Sequence, residues 1–194
     1  METFLEAARR YTPISQQDAE YCYSFFKRKS YKKNSLLLEE GHVAHEVFFI
    51  EKGTLRQFFF NEKGVEKTCN FAFETDFLTD LESFSKQIKA TTNIVALEAT
   101  ECLVMTCEDA AACMRHSAGI AAFFSRVIEM VATDNIRRIQ SMLSQPPEQQ
   151  FRELVQARPD ILQRVPQRYV AQYLGVAPES LSRIRKRMLR ISKS

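Results

Sequence analysis

The chain has 194 residues, 45% apolar and 26% charged, with a net charge of +3. That length and composition support a real buried core and exclude a disordered or fibrous chain. No run of about 18 apolar residues occurs, and no apolar region precedes a small-residue cleavage site, so the chain is expected to be cytoplasmic with no membrane partner. The five cysteines (Cys22, Cys69, Cys102, Cys107, Cys113) are odd in number and form no CxxC pair, which reads as free thiols rather than a disulfide framework or a metal cluster. The charge is unevenly divided. Residues 135–194 carry 12 Lys and Arg against 4 Asp and Glu, net +8, whereas residues 1–134 carry 15 against 20, net −5. A small basic module joined to a larger acidic one suggests that the end of the chain meets a polyanion.

The first residues read as a short helical lead-in, with Ser15 and Asp18 as a cap ahead of Tyr21, Phe25 and Phe26. From Ser35 to Thr106 the texture changes to runs rich in Val, Ile, Phe and Thr: SLLLEEG, EVFFIEKG, TLRQFFFNEKG, VEKTCNFAF, TTNIVALEA and ECLVMTC. Their regular spacing, with turns at Gly41, Gly53 and Gly64, predicts an all-β roll of hairpins holding the main core. From Glu108 to Ser144 the pattern is helical. Phe124, Val127, Ile128, Val131, Ile139 and Met142 recur at three- and four-residue intervals, so one side of a long helix is apolar. That stripe is read as the seam of a homodimer, with packing on the β-roll as the alternative. Pro146-Pro147 breaks the chain. The expected organisation is a sensor domain over residues 1–110, a connecting helix over 111–145 and a DNA-binding domain over 146–194.

The last fifty residues read as short helices, and two of them carry the functional signal. In QRYVAQYLGVAPESLSRIRKRML, Val170 and Leu174 share one face, and Leu181, Ile184 and Met188 share a face of the next helix. Gly175 suits the left-handed conformation that ends a helix, and Pro178 suits the first position of the following one. This is the pattern of a helix-turn-helix. On the opposite side of the second helix, Arg183, Lys186 and Arg190 fall within about 40° of Glu179, with Ser182 at the edge. Such a face offers an acceptor for cytosine N4, a bidentate donor for guanine and cations for phosphates.

The order of β-roll, long helix and helix-turn-helix, together with VFFIEKGTLRQFFFNEKGVEK, DFLTDLESF and RVPQRYVAQYLGVAPESLSRIRKR, resembles the Crp/Fnr family of bacterial transcription regulators. The resemblance covers nearly the whole chain. It implies an α+β fold with an N-terminal double-stranded β-helix (jelly-roll-like) sensor, a dimer-forming helix and a C-terminal all-α reader of double-stranded DNA, with RNA polymerase as a candidate further partner. By the same resemblance Glu179 and Arg183 match base-reading positions and Gln167, Arg168 and Ser180 match phosphate-contacting ones. Pro178 replaces a family arginine, which implies an unusual operator. Arg187 completes the candidate DNA-binding set. Only seven residues follow it, too few for the β-hairpin wing that commonly comes next, so the chain resembles a wingless variant.

In members that bind cyclic AMP, a glycine-glutamate cassette and an Arg-Ser pair hold the nucleotide. Here the cassette aligns with Phe77-Leu78-Thr79-Asp80-Leu81 and the pair with Thr91-Thr92. Threonine cannot supply the cationic fork a phosphate prefers. Lys86 or Lys89 could supply a substitute charge. The effector pocket is therefore placed at Phe77, Thr79, Asp80, Thr91 and Thr92, with an unknown small-molecule effector and no cyclic AMP dependence. No catalytic motif is present, and no cofactor or metal is expected: His42 and His45 stand three apart, a spacing that puts them on opposite faces of a strand. The rival readings are a cupin-like small-molecule-binding roll whose basic tail contacts protein, and a cyclic-nucleotide-dependent regulator.

Overall fold

The computed structural model describes residues 1–191, and the side chains of residues 1–188. Two helices, α1 (Glu2–Tyr11) and α2 (Gln16–Ser24), lead in. The Ser15 side chain caps α2 by accepting the Asp18 N–H at 3.0 Å, as the sequence predicts; α1 was not separately foreseen. The roll follows: β1 (Lys27–Tyr31), β2 (Leu36–Leu38), β3 (Glu46–Lys52), β4 (Leu55–Phe60), β5 (Glu66–Ala72), β6 (Phe77–Leu78), helix α3 (Leu81–Lys86), β7 (Asn93–Ala96) and β8 (Thr100–Thr106). The strands form two four-stranded sheets, ordered β1-β8-β3-β6 and β2-β7-β4-β5, and every pairing is antiparallel. At the β4–β5 turn the Asn61 side chain accepts the N–H groups of Lys63 and Val65.

The inner faces of the two sheets enclose one core, built from Phe48, Ile50, Leu55, Ile94, Ala96 and Val104 among others. A second core forms outside the first sheet, where Phe49, Leu103 and Met105 meet the helices through Phe4, Cys22, Ile120, Phe123 and Val127. The helical region predicted from Glu108 divides at Ser117. Helix α4 (Cys107–His116) ends there and α5 (Ala118–Ser144) begins, capped by the Ser117 hydroxyl, which accepts the Ile120 N–H at 3.1 Å.

After the proline break come α6 (Pro147–Ala157), α7 (Ile161–Arg164), α8 (Gln167–Tyr173) and α9 (Pro178–Ile191). These helices do not stand off from the roll. Phe71, Phe73 and Leu97 of the roll bury themselves among Phe151, Ile161, Val165, Val170, Leu174, Leu181 and Ile184. A set of arginines reinforces the joint. Arg164 reaches Glu74 and Glu98 at 2.7 and 2.8 Å, and Arg158 reaches Asp76 at 2.9 Å. Arg56, only 1% exposed, is held by Thr68, Glu66 and Gln172 and lies over the Tyr169 ring. All five cysteines are free thiols, three of them buried.

Candidate nucleic-acid interface and sensor cavity

The turn between α8 and α9 follows from its local chemistry. Gly175 has φ +68°, its N–H donates to the Gln172 carbonyl at 3.1 Å, and the Val176 N–H donates to the Ala171 carbonyl at 3.0 Å. This pair of bonds around a left-handed residue is the Schellman arrangement, which satisfies carbonyls that a helix end otherwise leaves open. Pro178 then begins α9 at the one helical position where a missing N–H costs nothing. Val170, Ala171, Leu181 and Ile184 are buried, and the small Ala171 lets the two helices cross closely.

The face opposite that core is where the sequence placed its reading residues. Pro178, Glu179, Arg183, Lys186 and Arg187 are exposed on α9, Ser180 and Ser182 are half-buried, and Arg168 is exposed at the start of α8. Arg183 donates to Ser180 Oγ at 3.3 Å, Arg185 holds Gln167 at 2.9 Å, and Arg168 lies over the Tyr169 ring. Arg187 pairs with Glu148 of α6 at 2.9 Å, so its charge is partly engaged within the chain. Arg190 belongs to the same stripe by sequence, but its side chain lies outside the described residues. The regional charge of +8 overstates what this face presents, because Arg158 and Arg164 spend their charge on the acidic loops of the roll. Among the described residues, Arg168, Arg183, Arg185 and Lys186 have no carboxylate partner within ion-pair distance.

The residues expected to form an effector pocket separate into two groups. Phe77 and Thr79 line a cavity of about 700 Å3 between the roll, α3, α4 and α5. Asp80, Thr91 and Thr92 come together behind it and saturate one another. The Asp80 carboxylate accepts the Ser83 N–H at 3.2 Å as the cap of α3, the Thr91 N–H at 3.2 Å and the Thr92 hydroxyl at 2.8 Å. Gln57 donates to Thr92 Oγ1 at 2.9 Å and closes the cluster. The donors a phosphate would seek are thus already bound to a carboxylate, whose negative charge repels an anion. Lys86 pairs with Glu82 at 2.8 Å and does not line the cavity. His42 lies near Glu39 and His45 near Gln87, and among the described residues no cluster of three or more His, Cys, Asp or Glu could hold a metal.

The stripe on α5 also separates in two. Phe124, Val127 and Val131 lie on a side that faces the chain itself. Val127 is buried, Phe124 packs on the second core, and Met142 approaches the turn at Gly175. Phe124, Val127 and Val131, read from the sequence as seam residues, thus face the chain itself, whereas Met142 is 45% exposed, as Ile128 is. Ile128 and Ile139, 45% and 56% exposed, border the cavity and adjoin an outer stripe formed with Ile136 and Leu143, 56% and 83% exposed, two residues absent from the seam read in the sequence. The two stripes lie about 100° apart around the helix. Arg138, on the inward side, was likewise not singled out, although its spacing from Val131 and Asn135 could have revealed it.

Comparison with known proteins adds the family. Residues 28–117, from β1 to the cap of α5, match the cyclic nucleotide-binding domain family. No curated protein matches the chain at a significant level by sequence. Among solved structures, FixK2 from Bradyrhizobium japonicum is similar with a TM-score of 0.75 at 13% identity, over 86% of each chain. A Crp/Fnr-family transcriptional regulator from Eubacterium rectale scores 0.70 at 16% identity, over 94% of this chain and 88% of the other. The catabolite activator protein of Thermus thermophilus scores 0.60 at 17% identity, over 94% and 87%. Residues 28–117 are thus a cyclic nucleotide-binding-type domain, set in a chain that has the fold of the Crp/Fnr regulators.

Proposed function

We propose that the protein is a non-catalytic, sequence-specific transcription regulator of the Crp/Fnr type, a homodimer on a palindromic operator that acts without cyclic AMP. The observation that carries this reading is the exposed α9 face, where Glu179, Arg183 and Lys186 project opposite a packed helix-turn-helix core. The outer stripe of α5 supplies the seam, and residues 1–110, 111–145 and 146–194 serve as sensor, connector and reader. Dimerisation would set two α9 helices about 34–36 Å apart, so that they enter successive major grooves. Independence from cyclic AMP rests on the Asp80 cluster, which offers a carboxylate where the nucleotide needs a cation.

Selection of bound sequences from a random duplex library tests the reading directly. A symmetric motif is expected, with affinity that falls steeply as salt rises. Arg183→Ala should cost about 1–3 kcal/mol and relax one position in each half-site, whereas Arg168→Ala should weaken all sequences alike. An unchanged motif for Arg183→Ala would show that α9 does not read bases through this face.

A further inference from the structure

We infer that the cavity between the roll and α5 binds an amphipathic organic monoanion, with an apolar body in the cavity and one carboxylate on Arg138. The volume, about 700 Å3, is that of a small-molecule site. Val47, Phe77, Leu81, Phe84, Met114 and Val131 give it an apolar wall. Among the described residues Arg138 is the one charged group lining it, and no Asp or Glu is there to balance that charge.

The state of Arg138 points to the missing partner. Its two terminal nitrogens donate to backbone carbonyls, one to Cys69 and the other to Tyr173 at 3.0 Å, and the guanidinium lies 3.8 Å from the centroid of the Tyr173 ring. Nε is buried with no hydrogen-bond partner. Among the described residues no carboxylate lies within ion-pair distance of it. A half-buried cation that lines an apolar cavity, held only by carbonyls and a ring and balanced by no carboxylate, favours an anion at its side. Carboxylate suits the planar fork of arginine. On its other side Arg138 borders a second cavity of about 430 Å3, but there Asp76 is already bound to Arg158.

The cavity also argues against other ligand classes. A phosphodiester would need cations at the cassette, where Asp80 occupies the donors. A wholly apolar ligand would leave Arg138 as it is. Asn70, Asn135 and Gln57 add neutral hydrogen-bonding groups to the wall. The site also touches the output module, because Arg138 holds the carbonyl of Tyr173, the last residue of α8. A ligand carboxylate would draw on the same guanidinium and so bear on the placement of the reading helices. That coupling rests on the DNA-binding reading above; the binding itself does not.

The test is calorimetric titration of the full chain with two acid–alcohol pairs, decanoate against decanol and 2-naphthoate against 2-naphthol. Saturable binding of one acid per chain is expected, about tenfold or more tighter than its alcohol. Arg138→Gln should bring the acid down to the alcohol, and Val131→Trp, which fills the apolar space and keeps Arg138, should abolish both. Should Arg138→Gln fail to fold, the acid–alcohol difference in the parent chain and its loss in Val131→Trp decide the matter. Equal affinity of acid and alcohol, absence of saturable binding by either pair, or full acid binding by Arg138→Gln would overturn the inference. Duplex binding without added ligand is measured in parallel: its loss would count against the regulator reading and leave the binding site standing.

Discussion

Gly175 and Gly53 both have positive φ, +68° and +103°, yet they are constrained by different neighbours. A Cβ on Gly175 would find only Met142 Cε at 3.9 Å, so the position is strained by its backbone alone. Gly175→Ala should therefore cost about 1–2 kcal/mol, the penalty of a left-handed residue with a side chain. A Cβ on Gly53 would instead lie 2.7 Å from the Thr100 Cα, a backbone atom that cannot swing aside. Gly53→Ala should cost clearly more, about 3 kcal/mol or above, as overpacking adds to the same strain. Urea unfolding midpoints of the two variants check the order, and equal losses would refute it. The contrast also shows what a sequence discloses. The role of Gly175 is legible because its reason lies within five residues, in the ending of one helix and the start of another. The constraint on Gly53 comes from a strand far along the chain, and the saturation of Asp80 by Thr91 and Thr92 is hidden for the same reason.

Helices and strands differ in legibility by the same logic. The central strands announce themselves through apolar runs, because both sheets bury an inner face. Strand β1 reads KRKSY and has no such alternation; it exists because it pairs with β8 at the sheet edge, where Arg28 and Lys29 reach Glu51 and Glu46. Helix α5 was legible as a helix, but its stripe was not resolved into two, since a window of three- and four-residue spacings accepts either. The split has a measurable consequence. Ile136→Glu with Leu143→Glu places charges on the outer stripe, and if α5 is the seam proposed above, sedimentation should show a folded monomer where the parent chain sediments as a dimer. Val127→Ala, on the inner stripe, should cost about 2 kcal/mol of stability and leave the association unchanged. A double glutamate variant that stayed dimeric would remove α5 as the seam.

At the scale of the molecule, the acidic roll pairs with the basic helices through Arg158 and Arg164, although the division of charge and the proline break both read as separate modules. Arg164 is the centre of that joint. Burial opposes ionisation of Glu74, but the Arg164 guanidinium and the Gly53 N–H outweigh it and hold the carboxyl below its ordinary value of 4.5. A carboxyl lowered in the folded state contributes stability that is complete above 4.5 and is lost as pH falls through its folded value. Asp76, two residues on, acts in the opposite sense. Its burial outweighs Arg158 and raises the carboxyl above 3.8, so the folded chain binds that proton more readily and stability declines as pH rises past the folded value. The acid limb therefore reports a difference between two neighbouring carboxyls. Arg164→Met should lower the melting temperature at neutral pH and flatten its fall below 4.5, because Glu74 then loses the partner that held it ionised, while the Asp76 contribution persists. If the variant kept the parent's acid limb, the joint would not depend on this ion pair, and the docking would rest on the apolar contact of Phe71 and Phe73 with the helices and on the remaining Arg158 and Arg56 links.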